Sequence, residues 1–201
     1  HKGFDLYSAA LPIGMTAFFL NATLYKTLGI SLPKALSDIA PESMQVASQM
    51  TANIFCGVVF GLCILFAFIL GCKPKDYWRL LSDPALVTNF SSTYGNATFL
   101  MNVGVFGLMI VGYFNLAAFM DGGVERMSTV WTGMTFGIVF CMLAPCNSGS
   151  HPGNVWPIMA GYMITSFLFG WIFKALGGDS YGLTIGSQTI LIGLCFANGL
   201  S

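Results

Sequence analysis

The sequence predicts an all-α integral membrane protein that crosses the bilayer several times. Of its 201 residues, 55% are hydrophobic and only 8% are charged, whereas a soluble domain carries about 25% charged residues. The charges are also clustered, so that long uncharged stretches separate them. Because about 20 mostly apolar residues cross about 30 Å of hydrocarbon, these stretches have the length of membrane-spanning helices.

About six apolar segments lie between the charged positions, and one or two of them have features of broken or re-entrant helices. Pro12 and Gly14 fall inside the first segment, where a proline removes a helix hydrogen bond and produces a kink or a break. The segments are Leu6–Leu24, Thr51–Leu70, Ala97–Phe119, Ser128–Pro145, Val155–Phe173 and Leu183–Leu200.

Composition also disfavours other classes of protein. A soluble helical bundle would show a charged face on each helix, but the strongly polar side chains of Ala97–Phe119 are only Thr98, Asn102 and Asn115. A lipid-spanning β-barrel would show alternating polarity over about ten residues. Lys+Arg and Asp+Glu balance at 8 each, so the basic excess expected of a nucleic-acid-binding protein is missing.

The connection Lys73–Asn96 is predicted to face the cytoplasm, because three basic residues lie near its start and positive charge resists translocation. If all six segments cross fully, each side of the membrane carries four Lys or Arg residues. If Ser128–Pro145 instead enters and leaves on the same side, the distribution becomes five against three. The Gly and Thr content of this segment is compatible with a re-entrant segment, and equally with a plain span.

The whole chain, residues 1–201, is predicted to form a single transmembrane domain and to be part of a larger repeat protein. It begins without Met, and its last apolar segment ends at Ser201 without a polar flank. Repeated sequence features, such as Gly57–Leu65 and Gly104–Val111, raise the hypothesis of an inverted repeat. The expected partners are therefore the lipid bilayer and either a second copy or the missing half of the parent chain.

Polar side chains within or beside the spans are the candidates for a solute path. Thr129, Thr132 and Thr135 recur at a spacing of three, which would keep them near one face of a helix. The remaining candidates are amides, a hydroxyl and an imidazole: Asn102, Asn115, Thr184, Gln188 and His151. The alternative is that such residues only join neighbouring helices. The glycine pairs Gly57/Gly61, Gly133/Gly137 and Gly182/Gly186 are expected to allow close helix packing.

No catalytic or cofactor-binding pattern accompanies these residues. The sequence lacks a nucleophile–base constellation, a phosphate loop and a dinucleotide fingerprint, so it does not predict an enzyme. His151 has no Glu-x-x-His or Cys-His spacing around it, and we expect neither a metal nor another cofactor. The middle of each span also lacks Asp, Glu, Lys and Arg, which disfavours proton coupling through carboxylates.

Three stretches carry a family resemblance: Leu80-Leu-Ser-Asp-Pro-Ala-Leu-Val-Thr-Asn-Phe90, Asn102-Val-Gly-Val-Phe-Gly-Leu108 and Gly149-Ser-His-Pro-Gly-Asn-Val-Trp-Pro-Ile-Met-Ala-Gly161. Together with the opening His1-Lys-Gly-Phe-Asp-Leu-Tyr7, they resemble an uncharacterised family of multi-pass bacterial membrane proteins, a domain of unknown function. The resemblance implies a multi-pass protein of the bacterial cytoplasmic membrane. Gly-aromatic-polar-Leu-Tyr before a broken apolar segment is also similar to bacterial urea channels, which implies inverted repeats with paired re-entrant half-helices around a narrow pore.

Two functions are compatible with these observations. The first is a channel or facilitator for a small uncharged polar solute, with its path lined by the hydroxyl and amide groups. It accounts for polar, Gly-containing and Pro-containing segments that would otherwise cost stability in lipid. The alternative is a non-conducting membrane scaffold or assembly subunit whose spans only pack against one another or against a partner.

Overall fold

The computed structural model describes residues 16, 19, 23, 45–84, 89–127 and 131–177. Six α-helices lie within these residues, and a short 3-10 helix, Ala144–Asn147, follows the fifth. The helices are α1 (Gln49–Ile69), α2 (Pro74–Leu81), α3 (Phe90–Tyr94), α4 (Asn96–Met127), α5 (Gly133–Leu143) and α6 (Pro152–Ala175). The predicted segment 183–200 lies outside the described residues, as does segment 6–24 except for residues 16, 19 and 23.

Three of the described helices are long and apolar enough to cross a membrane. They are α1, the Asn96–Met120 part of α4, and α6, and they coincide with three of the predicted segments to within a few residues. Ser48 fixes the start of α1, because its side chain accepts a hydrogen bond from the Thr51 N–H and so satisfies one of the free amides of the first turn. The prediction of apolar helices of spanning length is confirmed for these three segments.

The fourth predicted segment, Ser128–Pro145, forms a shorter helix. α5 has 11 residues and is about 16 Å long. It begins beside the start of α1, where the Val46 N–H donates to the Trp131 carbonyl oxygen over 3.2 Å. At its other end, Asn147 Oδ1 accepts from the Ser91 N–H over 3.0 Å. The two ends of this helical segment therefore lie near opposite ends of the described bundle.

The closest helix contact joins α1 and α4 through glycines that the sequence pattern did not identify. A Cβ atom on Gly107 would lie 2.4 Å from the Phe60 ring, and one on Gly104 would lie 2.8 Å from the Phe60 carbonyl oxygen. At Gly57, Gly61, Gly133 and Gly137 the same atom would meet nothing within 4 Å. Among the described residues these last four positions therefore have no close neighbour, and Gly182/Gly186 lies outside the described part.

The core of the described bundle forms where α1, α5 and α6 pack around α4. Its fully buried large side chains include Phe106, Ile110 and Phe114 of α4, Trp131 before α5, and Val139 and Met142 of α5. Aromatic rings meet edge-on here, with 6.2 Å between the ring centres of Phe114 and Trp131, a favoured geometry for such pairs.

The outer surfaces of α1 and α6 are apolar and exposed. On α1 they include Ile54, Val58, Leu62, Leu65, Phe66 and Ile69, and on α6 Ile164, Phe167, Leu168, Trp171 and Phe173. A soluble protein rarely exposes such large contiguous apolar areas. A lipid environment accounts for them.

Candidate functional site

Three side-chain amides join α1 to α4 near one end of the bundle. Asn53 Nδ2 donates to Asn115 Oδ1 over 3.1 Å, and Asn115 Nδ2 donates back to Asn53 Oδ1 over 3.0 Å. Gln49 Nε2 donates to the same Asn115 oxygen. We call Gln49, Asn53 and Asn115 the amide cluster. The predicted path residue Asn115 is thus bound to the neighbouring helix, which is the interhelical alternative considered for such residues.

Asn102 lies further toward the start of α4 and is completely buried, with 0% of its surface exposed. Its Nδ2 donates to the Ser150 carbonyl oxygen over 2.9 Å. Its Oδ1 accepts no hydrogen bond within the described residues. A buried acceptor without a partner costs about 1–3 kcal/mol, so this oxygen is a position where a bound molecule would gain a hydrogen bond.

Thr132 and Thr135 are both buried, and each bonds to the backbone of the other. Thr132 Oγ1 accepts from the Thr135 N–H over 3.3 Å, and Thr135 Oγ1 accepts from the Thr132 N–H over 3.2 Å. This reciprocal pattern is a capping box at the start of α5. Thr132 thus lies at the cap of the helix that begins at Gly133, and its hydroxyl is 3.0 Å from that of Thr135. That the two hydroxyls face a solute path stays a prediction. Thr129 lies outside the described residues.

His151 caps the start of α6 with its imidazole ring. Nδ1 accepts from the Gly153 N–H over 3.1 Å, so the neutral ring carries its proton on Nε2, which donates to the Asp83 carbonyl oxygen over 3.0 Å. Only 1% of the residue is exposed. Burial lowers the pKa of His151. The hydrogen bond to the Asp83 carbonyl and the Asp83 charge act in the opposite direction, but their effect is smaller.

Other bonds hold His151 and its neighbours in one turn. The His151 N–H donates to Asn154 Oδ1, and Asn154 Nδ2 donates to the Gly149 carbonyl oxygen, each over 3.0 Å. A Cβ atom on Gly153 would lie 2.7 Å from the Leu81 carbonyl oxygen. The start of α6 is therefore packed against the end of α2, and His151 forms a structural cap there rather than lying in a loop without contacts.

Five buried side-chain atoms lack a hydrogen-bond partner within the described residues. They are Gln49 Oε1, Asn102 Oδ1, the Tyr113 hydroxyl and Trp131 Nε1; the fifth is the Tyr77 hydroxyl. We call the first four the unpartnered polar row. Gln49 contacts Asn115 and the Trp131 ring packs on Phe114. These two residues therefore lie close to Tyr113, about 17 Å along α4 from Asn102.

Sequence reasoning identified only Asn102 of this row. Tyr113 and Trp131 were missed because aromatic residues in an apolar sequence are most simply read as core or as interfacial anchors. One general rule could have identified them: a buried Tyr or Trp usually forms a hydrogen bond through its hydroxyl or indole N–H. Thr184 and Gln188 lie outside the described residues. In the described part, no group of three His, Cys, Asp or Glu side chains is arranged to hold a metal ion.

The resemblances noted from the sequence stay predictions. Comparison of the chain with protein-family models, with curated protein sequences and with solved structures finds no match.

Proposed function

We propose that this protein is a membrane facilitator for a small uncharged polar solute. The observation that supports it most is the unpartnered polar row, in which four buried hydrogen-bonding atoms of the bundle have no partner within the described residues. Leaving each of them without a partner would cost about 1–3 kcal/mol. A solute or water molecule that bonds to them in turn would remove that cost.

The chemistry of the row fits a solute that both donates and accepts hydrogen bonds. Trp131 Nε1 can only donate and the oxygens of Gln49 and Asn102 can only accept, whereas the Tyr113 hydroxyl can do either. The spanning part of α4, Asn96–Met120, contains no charged residue. A neutral solute would therefore meet partners for its polar groups without a charge that holds it too tightly to leave.

The proposal also includes the membrane topology and the assembly of the protein. In it, six segments cross or enter a cell membrane, and the domain repeats within a larger protein or pairs with a second copy. Transport sites of repeat proteins lie at the interface between the two halves. The row would form one wall of such a site, with the predicted candidates of residues 183–200 as part of the rest.

Flux into liposomes tests the proposal, with small neutral solutes such as amides and polyols as probes. Tyr113→Phe removes one unpartnered hydroxyl and keeps the ring. Tyr94→Phe is the matched control, because the Tyr94 hydroxyl already donates to Asp83 outside the spans. We expect Tyr113→Phe to change flux per folded molecule about five-fold or more and Tyr94→Phe to leave it unchanged. Equal flux for the two variants and for empty liposomes would exclude transport of these solutes.

The second candidate function is a non-conducting scaffold, and the contact of Gly104 and Gly107 with Phe60 favours it. Small residues of α4 let α1 approach closely here, as expected for spans whose role is packing. In a scaffold, Tyr113→Phe would leave every flux at the background level. A partner or a second copy would then copurify with the protein in mild detergent.

A further inference from the structure

The helix α2 (Pro74–Leu81) has a buried face and a charged face. Leu80 is completely buried, whereas Lys75, Trp78 and Arg79 are exposed. Residues three and four apart are neighbours on a helix surface, so these three side chains share one face. It combines two cations with an indole ring of which 72% is exposed.

This face adjoins the apolar surface of α1. The last residues of α1 and its cap, among them Phe66, Ile69 and Leu70, are exposed, and α2 begins at Pro74 after a turn at Gly71, whose φ is 89°. Lys73, the N-cap residue of α2, is exposed as well. The basic side chains therefore lie where a lipid-facing surface ends, the depth at which Trp, Lys and Arg are enriched in membrane proteins.

The charge of this region is also unbalanced. Residues 73–83 contain three basic side chains and two acidic side chains, Asp76 and Asp83. An excess of positive charge close to the hydrocarbon boundary attracts lipids that carry net negative charge. Zwitterionic lipids offer the same phosphate together with a cation, which cancels most of this attraction.

We propose that Lys73, Lys75, Trp78 and Arg79, which we call the cationic patch, bind the headgroup of an anionic phospholipid. The guanidinium group of Arg79 and the ammonium group of Lys75 bind the phosphate, since both donate charge-assisted hydrogen bonds to its oxygens. The indole of Trp78 lies at the headgroup level beside them. A membrane lipid is favoured over a soluble acidic partner because the patch begins only three residues after Leu70, where the exposed apolar surface of α1 ends.

Native mass spectrometry of the full chain in detergent, titrated with phosphatidylglycerol or phosphatidylcholine, tests this assignment. We expect the first phosphatidylglycerol to bind more tightly than phosphatidylcholine, and added salt to reduce the difference. Each basic residue near an anionic surface strengthens association about five-fold. The double variant Lys75→Gln/Arg79→Gln should therefore bind phosphatidylglycerol about thirty-fold more weakly and phosphatidylcholine as before.

The control variant is Lys174→Gln, which removes an exposed cation in the last turn of α6 and should leave lipid binding unchanged. Equal wild-type affinities for the two lipids would overturn the proposal, and this comparison needs no variant. Wild-type affinity of the double variant for phosphatidylglycerol would overturn it too. So would equally strong binding of glycerophosphate or of an acidic peptide to the patch, because either would replace the lipid by a soluble anion.

Discussion

His151 Nε2 donates a hydrogen bond to the main-chain carbonyl of Asp83, 3.0 Å away and 68 residues earlier in the chain. The other ring nitrogen accepts from the Gly153 N–H. One neutral imidazole thus joins the end of α2 to the start of α6. The bond from the Gly153 N–H requires the neutral ring, because a protonated Nδ1 cannot accept.

This relationship predicts that stability decreases as pH falls. Burial holds the pKa of His151 below its ordinary value of 6.5, so the unfolded chain binds a proton that the folded chain excludes. The stabilisation is complete above about pH 6.5 and is lost as pH falls toward the lower, folded pKa. Thermal unfolding in detergent at pH 7.5 and 5.5 measures it, and in His151→Gln we expect the pH-dependent loss to shrink. A variant with the same pH dependence as the wild type would contradict this.

The amide cluster predicts a measurable coupling between Asn53 and Asn115. Ala at either position breaks their reciprocal hydrogen bonds. The double variant should therefore lose less unfolding free energy than the sum of the losses in the two single variants. We expect a coupling energy of about 0.6 kcal/mol, the average for polar pairs between membrane helices. Reversible unfolding in micelles measures it. The control is the same double-mutant cycle for Asn53 and Asn102, because Asn102 lies about 20 Å from Asn115 along α4. The effects of these two single variants on the unfolding free energy should add.

The contact between Gly107 and Phe60 predicts that Gly107→Ala destabilises the bundle. The new methyl group would lie 2.4 Å from the Phe60 ring, and relieving such overpacking typically costs about 1–3 kcal/mol. Gly112→Ala is the matched control on the same helix, because a Cβ atom there meets no described atom within 4 Å. Unfolding free energies in the same detergent compare the two. Equal effects would show that α1 and α4 are not in close contact at Gly107.

The capping box predicts separate effects of two substitutions at Thr132. Thr132→Val keeps the shape but removes the oxygen that accepts from the Thr135 N–H, and we expect it to lower stability by about 0.5–2 kcal/mol. Thr132→Ser keeps the acceptor and should be nearly neutral. Flux per folded molecule, measured alongside, decides whether this hydroxyl also contacts solute. A large loss of flux in Thr132→Val with unchanged stability would favour the solute path over the cap.

The spanning helices were predictable because they depend on where the charges are absent. The interval without charge between Glu42 and Lys73 contains α1, and the interval between Asp83 and Asp121 contains the apolar part of α4. Membrane helices need only length and apolarity, and both can be read from one sequence.

The details of the candidate site could not be predicted in the same way. A spacing of three is shared by residues on one helix face and by the two ends of a capping box, so Thr132 and Thr135 do not reveal which they form. The sequence does not show which helix a glycine pair faces either, since Gly57 and Gly61 have the ideal spacing but meet no described residue within 4 Å of an added Cβ atom. Which face of a helix meets its neighbour depends on the partner as much as on the helix.

Because α4 approaches α1 closely, the glycine positions of these two helices differ in the substitutions that they tolerate. Positions 104 and 107 have no space for a side chain, whereas positions 57, 61 and 112 do. In related sequences we therefore expect glycine to be retained at the first two positions and to be replaced freely by alanine or serine at the other three. Sequence divergence would then leave the α1–α4 contact unchanged while the surrounding surface varies.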